Sequence, residues 1–128
     1  MGKVKILIVD DEPDFLELMS LRVAGWGYTV IKASNGLAAI EAIKKSAPDM
    51  MILDYMMPGM DGIETLRQIR KSGNKMPVIM FTAYPNTNTL EGAASLGVSA
   101  FIPKLSAYSE VLPALKTALG LAEKSITG

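Results

Sequence analysis

Asp10, Asp11, Asp54, Thr82 and Lys104 are the residues of this chain whose types could do chemistry together. Each stands at the end of a short apolar run: Asp10 and Asp11 close "ILIVDD", Asp54 closes "MMILD", Thr82 closes "PVIMFT" and Lys104 closes "SAFIPK". Two carboxylates about 5 Å apart repel by roughly 3 kcal/mol at an effective dielectric near 20. A hard divalent cation removes that repulsion. Mg²⁺ takes oxygen ligands, commonly one or two carboxylates with waters and phosphate oxygens. The acids therefore read as a half-built Mg²⁺ site awaiting a phosphoryl group. Lys104 offers a point charge to phosphoryl oxygens, and Thr82 offers a hydroxyl donor. A carboxylate can act as nucleophile and form an acyl phosphate. Asp54 is the best candidate, because it follows the innermost strand and faces both the acid pair and the lysine.

Those residues converge only if the runs are neighbouring strands. "KILIV", "YTVIK", "MMILD", "PVIMF" and "SAFIP" recur along the chain, nearly continuous in apolar residues, as strands covered on both faces are. Segments of helical period lie between them. Pro13 suits the first turn of one helix. Phe15, Leu18 and Met19 form its inner face, widened by Leu16 and Val23, and Gly25 and Gly27 stop it. Asn35 caps the second, whose inner face is Ala39, Ala42 and Ile43, and Pro48 bars its continuation. Asp61 caps the third, with Ile63, Leu66 and Ile69 inward and Gly73 at its end. The fourth, about 87–96, is short and rich in small residues. The fifth spans about 108–124, with Val111, Leu115, Ala118 and Ala122 on one stripe. Strand–helix alternation repeated in this way predicts an α/β domain: a five-stranded parallel sheet, doubly wound, in the flavodoxin-like order 2-1-3-4-5. Residues 1–124 form the domain and 125–128 a polar, frayed tail. In such sheets ligands bind at the carboxyl ends of the strands, where the five residues lie.

Composition narrows the alternatives. Lys and Arg number 13 and Asp and Glu 13, so no basic surplus points to direct nucleic-acid binding. With no cysteine and no histidine, thiolate zinc sites, disulfides and Ser-His-Asp catalysis are excluded. No apolar run is long enough to span a membrane, and a soluble cytoplasmic protein is expected.

The chain resembles the receiver domains of bacterial two-component response regulators. "VDDEPDF", "LDYMMPGMDG", "FTAY" and "FIPK" carry the resemblance, which spans Lys3 to about Ala122. It implies a signalling module rather than an enzyme, with Asp54 accepting a phosphoryl group from the phosphohistidine of a histidine kinase or histidine phosphotransfer protein. It implies that Asp11 and Asp54 ligate Mg²⁺ directly, that Asp10 assists through water, and that the Met56 carbonyl completes the protein ligands. Thr82 and Lys104 match the family's switch hydroxyl and lysine, and Phe101 its switch aromatic. A homodimer through helix 4, strand 5 and helix 5 is a further implication.

Three positions depart from the family pattern. Leu105 stands where a cis proline usually follows the lysine, so a trans bond is expected, since a cis non-proline bond costs about 2.5–4 kcal/mol. Met56, and Tyr84 with Pro85, flank the path of a hydrolytic water and predict a slow or altered dephosphorylation rate. Competing readings are a receiver-like interaction module without phosphorylation and a Mg²⁺-dependent aspartyl phosphohydrolase. Flavin binding would want a Ser/Thr/Gly-rich phosphate loop where this chain has acids.

Overall fold

A computed structural model of the chain describes residues 3–83, 87–104 and 108–127. Each apolar run becomes a strand and each segment of helical period a helix. The order is β1 (Lys5–Val9), α1 (Pro13–Gly25), β2 (Thr29–Ala33), α2 (Gly36–Ser46), β3 (Met50–Asp54), α3 (Gly62–Lys71), β4 (Val78–Thr82), α4 (Thr87–Ser95), β5 (Ala100–Pro103) and α5 (Tyr108–Thr127). All pairings are parallel and the strand order is β2-β1-β3-β4-β5. β3 and β4 are buried throughout, whereas the edge strands β2 and β5 are only partly covered. Near-continuous apolar runs thus mark the centre of the sheet, and the edges tolerate Thr29, Lys32 and Pro103.

The sheet separates two cores. One holds Ile6, Ile8, Ile52, Ile79, Phe81 and Ile102 against α1 and α5. The other holds Leu7, Val9, Met51, Leu53, Val78 and Met80 against α2, α3 and α4. The period-two alternation of strand side chains produces this division. It also decides which way the strand ends face, because Asp10, Asp54 and Lys104 share the parity of the α1–α5 side and Thr82 that of the other.

Two expectations change. Leu18 is 38% exposed, at the border of the α1 stripe, while Leu16, Met19 and Val23 point inward. α5 runs through Thr127 rather than ending near Lys124. Its last turn lacks Gly or Pro, and the Ser125 hydroxyl donates back to the Ala122 carbonyl at 2.7 Å, so that side chain bonds within the helix rather than to solvent.

The predicted caps hold. Asn35 accepts from the Ala38 N–H and Asp61 from the Glu64 N–H. Arg70 at the end of α3 donates to the carbonyls of Leu96 and Met76 at 2.8 Å each and of Asn74 at 3.2 Å, tying the end of α4 to the start of β4. Between β3 and α3 the chain turns through Gly59, whose φ of +78° is left-handed. Gly62 then lets α3 close onto the end of β3. Its N–H donates to the Tyr55 carbonyl at 2.8 Å, and a Cβ there would lie 2.5 Å from the Asp54 carbonyl oxygen. Gly62→Ala must push that backbone apart. It is expected to cost about 1–3 kcal/mol, read as a lowered urea midpoint with unchanged slope.

Candidate functional site

The acids meet because β1 and β3 are paired in register, Val9 opposite Leu53. One residue further, Asp10 and Asp54 are thrown to the same side of the sheet, and Asp11 follows on the turn into α1. Among the described residues one carboxylate oxygen from each of Asp10, Asp11 and Asp54 lies within 4.8 Å of the others. Asp10 and Asp54 are buried and Asp11 half-buried. The Asp10 carboxylate accepts the Glu12 N–H at 2.9 Å, which turns the chain into α1.

Lys104 enters from the end of β5, its N–H donating to the Thr82 carbonyl at the end of β4. Its Nζ stands 2.9 Å from Asp10 Oδ2, 2.7 Å from Glu12 Oε1 and 3.5 Å from Asp54 Oδ2. The Lys104 side chain is 9% exposed, the Glu12 side chain 64%. Sequence reasoning placed Asp10, Asp11, Asp54 and Lys104 together. It gave Glu12 a helix-start role, with reach to a metal-bound water, but did not pair it with Lys104; an acid directly after the Asp pair is the signal that would have pointed to Lys104.

The electrostatics follow from this crowding. Burial, then the charge of Asp10, pushes Asp54 up to about 7; Lys104 and the Met56 N–H pull the other way without prevailing. Asp10 is raised as well, chiefly by burial. Burial alone would lower Lys104, but its hydrogen bonds to Glu12 and Asp10 and the charges of Asp10 and Asp54 hold it above its ordinary value. One ammonium is therefore too little positive charge for the acids around it. Three clustered carboxylates are a hard, all-oxygen donor set, and the cluster is compatible with Mg²⁺ and with phosphorylation.

Thr82 is fully buried at the end of β4, beyond the Asp54–Phe81 pair. Phe101 on β5 pairs with Met80 and is half-buried against the α2–α4 core, the side that Thr82 shares by alternation. The Met56 side chain is 51% exposed. It lines an open cleft of about 480 Å³ with Asp11, Tyr55, Met57, Pro58, Gly59 and Asp61. A larger hollow of about 730 Å³ between β5 and α5 has no charged residue in its lining and lies apart from the acids. Tyr84, Pro85 and Leu105, and with them the Lys104–Leu105 bond, lie outside the described residues.

A sequence profile of the response regulator receiver domain matches residues 6–116. The chain belongs to that family. Response regulator MprA of Mycobacterium ulcerans (strain Agy99) is 34% identical over 116 residues, covering 91% of this chain and 50% of that protein. Transcriptional regulatory protein ZraR of Klebsiella oxytoca is 34% identical over 128 residues, 98% of this chain and 29% of that protein. The receiver domain thus spans half or less of the length of these curated relatives. A CheY-like receiver domain protein from Methanospirillum hungatei JF-1 superposes with a TM-score of 0.84 at 27% identity, covering 97% of this chain and 99% of that one. Response regulator protein TrrA from Thermotoga maritima, solved with Mg²⁺ and beryllium fluoride, gives 0.76 at 30% identity over 90% of this chain and 98% of that one. The receiver domain's acidic cleft fits a phosphorylation site.

The raised Asp54 sets a pH dependence for the metal-free protein. Unfolded, its carboxyl titrates near 3.8; folded, near 7. Between about pH 4 and 7 the folded state holds a proton that the unfolded state has lost, so stability falls as pH rises through that window. Asp54→Asn removes the penalty. It is expected to exceed wild type in stability by on the order of 2–4 kcal/mol at about pH 8, the gap closing below about pH 4. Urea unfolding across that range in a chelator checks both ends.

Proposed function

We propose that Asp54 accepts a phosphoryl group from the phosphohistidine of a partner kinase or histidine phosphotransfer protein, and that the receiver domain then switches a partner-binding surface. One observation carries this reading: an ammonium 3.5 Å from Asp54 and 2.9 Å from Asp10, within a cluster of three acids. The ionised Asp54 oxygen attacks phosphorus; the new O–P bond forms as the donor's N–P bond breaks, and the imidazole leaves with the electron pair. Lys104 pairs with a phosphoryl oxygen. Asp11, Asp54 and the Met56 carbonyl would hold Mg²⁺, and Asp10 would assist through water. Once bound, that ion neutralises charge on the transferring oxygens.

The acyl phosphate brings nearly two negative charges and three acceptors. Thr82 donates to one of them, and Phe101 moves into the space that Thr82 leaves. A hydrogen bond to a charged group contributes about 1.5–3 kcal/mol, and inverting a population from 1:99 to 99:1 takes about 5.5 kcal/mol. Thr82 and Lys104 together approach that figure. The surface that responds is formed by α4, β5 and α5, where Leu90, Leu121 and Ile126 are exposed. A second copy of the chain is one partner it fits. Exposed Met56, beside the path of a hydrolytic water, slows loss of the phosphoryl group. Residues 1–124 are the unit that carries this function, in the cytoplasm. None of the described helices is long and apolar enough to cross a membrane, and zero net charge gives no surplus for binding nucleic acid directly.

Incubation with acetyl phosphate and Mg²⁺, read by mass, is expected to add one phosphoryl group to wild type and none to Asp54→Asn. No gain in wild type would leave an interaction module of the same fold. Thr82→Ala is expected to take up the group at Asp54 yet lose the accompanying amide shifts in α4 and β5. Full wild-type shifts in that variant would remove Thr82 from the switch.

A further inference from the structure

Charge pairing does not account for every contact that Lys104 makes. Its Nζ sits 4.2 Å from the centroid of the Phe15 ring. Phe15 lies in the first turns of α1, on the side of the sheet shared by Asp10, Asp54 and Lys104. The ring is braced in turn by Phe81, whose centroid is 6.1 Å away at 75° in an edge contact. Lys104 is thus held between acids and an aromatic face.

The ring does something that an aliphatic side chain cannot. Burial strips water from the ammonium, and an alkyl neighbour returns nothing for that loss. An aromatic face attracts the cation through its quadrupole while leaving the three N–H donors for oxygen acceptors. Without it, the pull on Lys104 becomes lopsided. Glu12 is the nearest acid, at 2.7 Å, and the most exposed, so it draws the ammonium outward, away from Asp54.

We propose that Phe15 is a positioning residue whose ring face keeps the Lys104 ammonium inside the acid cluster, within reach of a group carried by Asp54. The proposal rests on the reading of Asp54 under Proposed function, and two variants separate ring chemistry from packing. Phe15→Leu keeps an apolar side chain against Phe81, and Phe15→Tyr keeps a ring. The probe is beryllofluoride, a stable mimic of a phosphoryl group on a carboxylate, titrated at saturating Mg²⁺.

Phe15→Leu is expected to weaken beryllofluoride binding about two- to thirtyfold, the range of a cation–π contact from exposed to desolvated, and Phe15→Tyr to retain it. In a Lys104→Met background Phe15→Leu should cause no further loss. Equal losses in the Leu and Tyr variants, wild-type affinity in Phe15→Leu, or the same loss with Lys104 absent would each overturn the proposal. A second measurement needs neither variant nor metal. Protons held over a ring face are shifted upfield, so the Lys104 Cε protons of wild type should show that shift by NMR. Their appearance at the ordinary lysine position would overturn the contact itself. A wild type that binds no beryllofluoride would overturn the reading of Asp54 and this inference with it; binding of equal strength in wild type and Phe15→Leu overturns the inference alone.

Discussion

Too many carboxylates share one ammonium at the carboxyl end of this sheet. Asp10 and Asp54 are buried, Asp11 is close by, and Glu12 reaches in from the surface. Lys104 is the cation that answers them. Taking such charges out of water is costly, and mutual attraction compensates only in good geometry. The imbalance shows in Asp54, which burial and the neighbouring Asp10 push to about 7 despite Lys104. A site in that condition gains from any incoming positive charge, and its clustered carboxylate oxygens are the donor type that a hard divalent cation takes.

The rest of the fold keeps this strain in place. The central strands are buried along their length, and two apolar cores clamp the sheet from both sides. Gly62 permits α3 to press against the peptide that follows Asp54, so the acid is fixed from behind by backbone. Stability given up at one end of the sheet is supplied by the cores beneath it, the usual arrangement where a functional site departs from what folding alone would choose.

Much of this could be read from the residues. Apolar runs ending in Asp10, Asp54, Thr82 and Lys104 fixed both the strands and the edge where those residues meet. Period-two alternation, applied to the strands once observed, adds that Asp10 and Asp54 share a side. What stayed hidden depended on the rotation of helices about their axes. Phe15 and Leu18 both fit an inward stripe, yet Leu18 is 38% exposed and Phe15 faces the ammonium. Glu12 reads as a helix-start acid with reach to a metal-bound water, because nothing local says that a residue 92 positions away will come within 2.7 Å. The end of α5 was misjudged for a local reason: polarity was read as fraying, although no residue before Gly128 breaks the helix.

The sheet divides this site as a wall divides two rooms. Asp10, Asp54, Lys104 and Phe15 stand on the α1–α5 side, and Thr82 and Phe101 on the α2–α4 side. The cores pack separately, so drift in one need not disturb packing in the other, although both sides meet at the strand ends. Mutations in α1 would retune how firmly charge is held, whereas mutations around α4 would alter what the molecule presents outward. A lineage could thus keep an inherited chemistry intact while exchanging its downstream audience, or the reverse.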